Sequence, residues 1–240
     1  MTTAPGVSLS HAAGSPLLAA EGISKRFGGV VALADVNFQV RAGNVTCLLG
    51  DNGAGKSTLI RILAGVFPPT TGRLLMDGAE VRFRAPRDAL ARGIATVHQD
   101  LALIPLLSVW RNFHLGAEPA RGRGPLRRMD VGAARRSTLD ALAEFGIRLT
   151  DADRPVATLS GGERQSIAIA RAVHRGARVL ILDEPTAALG VRQTERVLQT
   201  VRAVRDRGVG VVLITHDPAQ ADAVADRRVV LEKGTVVPAT

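Results

Sequence analysis

Gly50-Asp51-Asn52-Gly53-Ala54-Gly55-Lys56-Ser57-Thr58 is the stretch on which the reading of this 240-residue chain turns. Gly50 and Gly55 enclose four residues and are followed by Lys56 and Ser57, the spacing of a loop built to hold phosphate. Glycines let the backbone close on a phosphate without Cβ clashes, Lys56 reaches the β and γ phosphates, and the Ser57 hydroxyl is placed to ligate Mg²⁺. The flanks agree. Residues 45–49 form a short apolar run of strand type, and residues 56–66 carry Leu59, Ile60, Leu63 and Ala64 at helical spacing. Strand, loop and helix in that order aim backbone N–H groups and a positive helix end at one anionic site.

A second apolar run, residues 179–182, delivers Asp183 and Glu184 at its C-terminal end, where open parallel sheets bind their ligands. Asp183 can hold Mg²⁺ through its water shell. Glu184, sent the opposite way by strand alternation, can orient and deprotonate an attacking water.

Outward from these motifs, residues 23–27 and 31–40 read as strands separated by Gly28 and Gly29, and Asp77-Gly78 reads as a type I′ hairpin turn between residues 74–76 and 81–83. Strand signals thin out between about 100 and 158, where helical periodicity at 108–115 and 131–145 predicts a helical insertion. Beyond it, helices at 161–174 and 191–207 alternate with strands at 179–182 and 209–214, which predicts a parallel sheet covered on both faces. Residues 1–16 lack periodicity and read as a loose tail before a single domain over 17–240.

Composition narrows the function classes. No run of 18 apolar residues exists, and no charged-then-apolar leader opens the chain, so a cytoplasmic location is expected. The lone Cys47 can make neither an internal disulfide nor a multi-cysteine metal site. Net charge is +9, almost all from Arg, since Lys occurs only as Lys25, Lys56 and Lys233. Aromatics are 3% and Tyr is absent, which leaves little for a base-stacking platform, so no nucleic-acid partner is expected. One denser patch, Arg121, Arg123, Arg127, Arg128, Arg135 and Arg136, is a candidate contact for acidic protein or lipid headgroups.

Leu159-Ser160-Gly161-Gly162-Glu163-Arg164-Gln165 opens a helix and precedes Asp183. With this segment in place, the chain resembles an ATP-binding cassette ATPase over nearly all of residues 18–237. The resemblance implies an α/β fold: a P-loop NTPase core with a mostly parallel sheet, an N-terminal antiparallel β subdomain and a helical insertion subdomain. It implies ATP and Mg²⁺ as ligands and Mg-dependent ATP hydrolysis as the activity. The nucleotide would be held by Gly50, Asp51, Asn52, Gly53, Ala54, Gly55, Lys56, Ser57 and Thr58, with Phe27 stacked on adenine. A second copy of the chain, paired head to tail, would clamp it with Ser160, Gly161 and Gly162. Gln99 resembles the glutamine that touches Mg²⁺ and the attacking water, which places Ser57, Gln99 and Asp183 around the metal. Glu184, His216, Gln99 and Lys56 would act on the γ-phosphate. The chain departs from the family at Gly190, where an Asp that signals between cassettes is usual.

The wording of the phosphate loop, of Gln99-Asp100-Leu101-Ala102-Leu103, and of Glu184-Pro185-Thr186-Ala187-Ala188-Leu189-Gly190 resembles the carbohydrate-uptake branch, the monosaccharide importers. Import of another small polar solute, such as branched-chain amino acids, is the alternative. Either reading implies permease subunits in the membrane, an extracytoplasmic solute-binding protein, and a place for this chain on the cytoplasmic membrane face. Leu101, Leu103, Ile104, Leu106 and Trp110 are either a groove for a permease helix or the core of the insertion itself.

Overall fold

In the computed structural model, which describes residues 15–122 and 128–238, the chain folds as two sheets with helices on their faces. β1 (Leu18–Phe27) and β2 (Val30–Val40) form an antiparallel hairpin about Gly28 and Gly29, paired from Leu18↔Val40 to Phe27↔Val30 with the register shifting between Ala20 and Arg26. β3 (Val45–Leu49) and α1 (Lys56–Leu63) follow, and β4 (Thr71–Met76) then returns to the free edge of β1. β5 (Ala79–Val81) completes the order β2-β1-β4-β5. Asp77 and Gly78 both adopt positive φ, 53° and 79°, as a type I′ turn requires.

The second sheet is built mostly from the remaining chain. α2 (Pro86–Ala91) leads to β6 (Ile94–Val97); then come α3 (Val109–His114), a two-residue ribbon of β7 (Ala120–Arg121) and β8 (Arg128–Met129), α4 (Val131–Glu144) and α5 (Gly161–His174). β9 (Val179–Asp183), α6 (Val191–Asp206), β10 (Gly210–Ile214), α7 (Pro218–Val224), β11 (Arg227–Glu232) and β12 (Thr235–Val237) end the described chain. The order is β12-β11-β3-β10-β9-β6, and every pairing is parallel except that of β11 with β12.

Burial explains the apolar strands. Val179, Leu180, Ile181 and Leu182 are all fully buried. Leu180 and Leu182 join one core with residues of α5 and α6, while Val179 and Ile181 join a second core with α1 and the antiparallel sheet. A strand covered on both faces gains nothing from polar alternation, and each such side chain contributes about 1.5–3 kcal/mol by leaving water. Cys47 lies in the same buried layer, where burial pushes its thiol up to about 12 and leaves it a small apolar group.

Several boundaries differ from the sequence reading. α1 stops at Leu63, short of Val66, because Gly65 at φ 73° closes a Schellman cap: its N–H donates to Ile62 O and that of Val66 to Arg61 O. α2, α7, β11 and β12 are short elements that periodicity did not reveal. Trp110 does not line a groove. It is 3% exposed in a small cluster with Ala134 and Ala152, and its indole N–H donates to Asp153. Leu101 and Leu103 pack on the main core, so of the five apolar residues only Ile104 and Leu106 face outward. Arg121 and Arg128 stand opposite one another in the ribbon, whereas Arg135 pairs with Asp153 at 2.8 Å. Arg123, Arg127 and residues 1–14 lie outside the described residues.

Candidate functional site

The loop after β3 and the ends of β9 and β10 meet at the carboxyl edge of the parallel sheet, where Ile214 is in register with Asp183 and Leu48. They enclose a cavity of about 510 Å³ whose wall includes Asp51, Lys56, Ser57, Gln99, Asp183 and Glu184. Residues as far apart in sequence as Asp51 and Glu184 are thereby gathered around one space.

The loop is shaped for close approach. Gly50 and Gly55 have φ of 143° and 106°, and a Cβ at Gly50 would lie 2.2 Å from Leu231 O, one at Gly55 2.7 Å from Ala32 O. Neighbouring backbone therefore excludes any side chain at either position. Gly55, the N-cap of α1, gives it no side-chain cap, so its first-turn N–H groups are open to an anion. Lys56 is 7% exposed, and its ammonium donates to Gly50 O at 2.5 Å and Asp51 O at 2.9 Å, which holds the positive charge over the cradle. From the far side, Gly234 N–H donates to Ala54 O and Gly234 O accepts from Ala34, so the β11–β12 turn braces the loop against β2.

Asp183 and Glu184 part company by a different route from the one strand alternation predicts. Asp183 ends β9 and faces His98, with Oδ2 4.0 Å from Nδ1. Glu184 has left the strand in a left-handed conformation, φ 48°, its N–H donating to Ile214 O. Its Oε1 lies 3.2 Å from Nδ1 of His216. Both carboxylates nevertheless line the same cavity. Ser57, Gln99 and Asp183 offer it a hydroxyl, an amide carbonyl and a carboxylate, a hard-oxygen set that fits Mg²⁺ and would suit a soft metal poorly.

Other expected residues stand elsewhere. Phe27 is 48% exposed at the tip of the β1–β2 hairpin, edge-on to Phe67 at 5.4 Å, with the Lys25 ammonium 5.2 Å from its ring centre. Ser160 caps α5 through a reciprocal box: Ser160 N–H and hydroxyl donate to the Glu163 carboxylate, and Glu163 N–H donates to Ser160 Oγ. Those bonds hold the Glu163 carboxyl below its usual range. Leu189 and Gln193 pack against Gly161 and Gly162, where an added Cβ would lie 2.7 Å from Leu189 Cδ2 and 3.0 Å from Gln193 Cβ. Gly161 lines a separate cavity that shares Gln99 and Glu184 with the first, and neither Ser160 nor Gly162 lines the cavity of Lys56.

Sequence reasoning missed the bolt behind Glu184. Thr186, 6% exposed, donates to Gln220 Oε1, which also accepts from Thr215, while the Gln220 amide donates to Asp217. The turn after Glu184 is thus fastened to the loop that carries His216. Gln220 sits on a seven-residue helix, too short for a periodic signal to single it out.

The family model for ABC transporter matches residues 33–187. The chain is 43% identical to the xylose/arabinose import ATP-binding protein XylG of Sulfolobus acidocaldarius, covering 93% of this chain and 87% of that one. It is 45% identical to a ribose import ATP-binding protein, RbsA 1 of Rubrobacter xylanophilus, over 92% of this chain but only 44% of that longer relative. Among solved structures it resembles a dimeric bacterial ABC transporter cassette, with a TM-score of 0.74, 28% identity, and 92% of this chain and 97% of that one covered. Fold, cavity and likeness agree: the chain belongs to the ABC transporter family.

Proposed function

We propose that this chain is the ATP-binding and ATP-hydrolysing subunit of an importer for a monosaccharide, working as a head-to-tail pair on a membrane permease. The observation that carries the enzymatic part is the single cavity shared by the phosphate loop, Gln99, Asp183 and Glu184. The sugar rests on relatives named for xylose/arabinose and ribose import, which favour it over the branched-chain amino-acid alternative.

Loop amides from Gly55 to Thr58 and the Lys56 ammonium bind the β and γ phosphates and stabilise charge as it spreads over the γ-phosphoryl oxygens. Ser57, Gln99 and Asp183 would hold Mg²⁺, which when bound neutralises negative charge on the phosphate oxygens. Glu184 orients a water and takes its proton as the water oxygen bonds to the γ-phosphorus and the bond to ADP breaks. His216, beside Glu184, contacts the γ-phosphate. The placement of Ser160 away from its own Lys56 cavity supports a clamp on the nucleotide of the second copy. Ile104 and Leu106, exposed by 44% and 86% just beyond Gln99, offer the permease an apolar contact. Among the described residues no helix is long and apolar enough to cross a membrane, which leaves transport to such a partner.

Uptake of labelled monosaccharides in cells with and without this chain tests the reading. Loss of pentose or hexose uptake, restored by the intact chain and not by Glu184→Gln, is expected. Unchanged monosaccharide uptake with loss of branched-chain amino-acid uptake would refute the sugar assignment.

A further inference from the structure

Gln99 stands on a segment held at two ends by different parts of the molecule. On one side β6 ends at Val97, in register with Leu182 of β9, so the sheet fixes the approach to Gln99. On the other side the chain leaves without regular structure, and the Arg171 guanidinium of α5 gathers it in. One arm donates to Leu101 O at 3.0 Å; the other donates to Ala102 O at 3.2 Å and reaches Asn112 O of α3 at 3.5 Å. Ala102 is left-handed, φ 48°, a conformation an alanine keeps only where its surroundings hold it. Arg171 holds its carbonyl, and Asp100 accepts from its N–H at 3.2 Å.

Among the described residues no carboxylate lies within ion-pairing distance of Arg171. Its partners are backbone carbonyls, and burial with the neighbouring charge of Arg175 lowers its pKa. A cation kept in such surroundings, bonded to three carbonyls on two segments, is spent on backbone geometry. Arg171 also lies eleven residues beyond Ser160 along the same unbroken helix, about 16 Å along its axis. The Ser160 corner and the backbone two residues from Gln99 are thereby attached to one unbroken helix.

We infer that Arg171 is a positioning residue for ATP hydrolysis, setting the backbone that aims Gln99 into the nucleotide cavity and linking it to the helix of Ser160. The inference rests on the reading of Gln99 as a metal- and water-facing group. The test measures kcat, the Mg²⁺ concentration for half-maximal rate, and metal-free affinity for a fluorescent ATP analogue. These are taken on the intact chain and on Gln99→Ala, Arg171→Ala, Arg171→Lys and the double variant Gln99→Ala/Arg171→Ala.

Arg171→Ala is expected to lower kcat about tenfold and raise the Mg²⁺ requirement, with metal-free affinity unchanged, the scale of losing charge-assisted hydrogen bonds. Arg171→Lys, which keeps the charge but not the fork, should recover part of the rate. The double variant should be no slower than Gln99→Ala alone, because both changes disable one unit. If Gln99→Ala is slow but Arg171→Ala and Arg171→Lys match the parent, the inference fails and the reading of Gln99 stands. Multiplying effects in the double variant would overturn it too. If Gln99→Ala itself matches the parent, both fall. Should Arg171→Ala not fold, the Lys variant alone and its pairing with Gln99→Ala decide by the same criteria.

Discussion

Glu184 Oε1 and His216 Nδ1 lie 3.2 Å apart although 32 residues separate them. β9 and β10 are parallel neighbours that end at the same level, so the residues leaving them are delivered side by side. The left-handed turn at Glu184 and the Thr186–Gln220 bond then set the two side chains toward one another.

Glu184→Gln should leave ATP affinity as it is and slow turnover by at least about a hundredfold, the scale of losing a general base. The amide matches the carboxylate in shape, so binding geometry survives while proton acceptance does not. Single-turnover hydrolysis beside equilibrium binding separates the two; hydrolysis at the parental rate would remove Glu184 from its assigned role.

Gln220→Ala should lower kcat with little change in the KM for ATP. The Thr186 hydroxyl would lose its acceptor in a buried place, at a cost of about 1–3 kcal/mol, and the turn that carries Glu184 would loosen. Urea unfolding checks the stability, and steady-state kinetics check the split between kcat and KM.

Gly55→Ala and Gly53→Ala should differ sharply. At Gly55 the added methyl meets Ala32 O at 2.7 Å and Leu33 Cδ2 at 2.9 Å under a φ of 106°, so about 3 kcal/mol or more of stability should be lost. At Gly53, φ 82° with open space around the Cβ, about 1 kcal/mol is expected from backbone strain alone. Equal unfolding midpoints for the two variants would contradict the packing described.

Ser160→Arg should spare ATP binding by one copy and block ATP-driven pairing, followed by light scattering in the slow Glu184→Gln background. The lost capping box costs about 1 kcal/mol, small beside the packing of α5, so the chain still folds. Normal pairing by this variant would rule out a trans contact for the corner.

Stability should fall as pH drops below about 6.5. His114 is buried beside His174, with rings 5.7 Å apart, and burial lowers the pKa of both from 6.5. Arg175 also opposes protonation of either ring, whereas Glu118 near His114 and Glu144 near His174 favour it. Below 6.5 the unfolded chain takes up protons that the folded one resists, so the folded state loses ground until the folded pKa values are passed. His114→Phe should flatten the dependence of melting temperature on pH between 7.5 and 5.5; a curve parallel to the parent would show that His114 is not responsible.

Much was legible because it is local or chemically narrow. The spacing of Gly50, Gly55, Lys56 and Ser57 announces its loop. A short, uninterrupted apolar run such as Val179–Leu182, bounded by turn residues, reads as a strand covered on both sides. Asp77-Gly78 names its turn type, since few dipeptides tolerate two positive φ values. Phe27 and Ser160 were placed by resemblance, and their surroundings, an exposed aromatic edge and a closed capping box, could not be read from residue order.

By itself the order of residues determined the local elements, the phosphate loop and the kind of sheet, because propensity, periodicity and turn chemistry act over a few neighbours. Only the tertiary structure decided that Trp110 is core, that Glu184 faces His216 through a left-handed residue, and that Gln220 and Arg171 fasten segments 34 and about 70 residues away. The physical reason is that such contacts depend on where two strands end in a shared sheet and how a helix lies across it, and no local preference in the chain encodes that meeting.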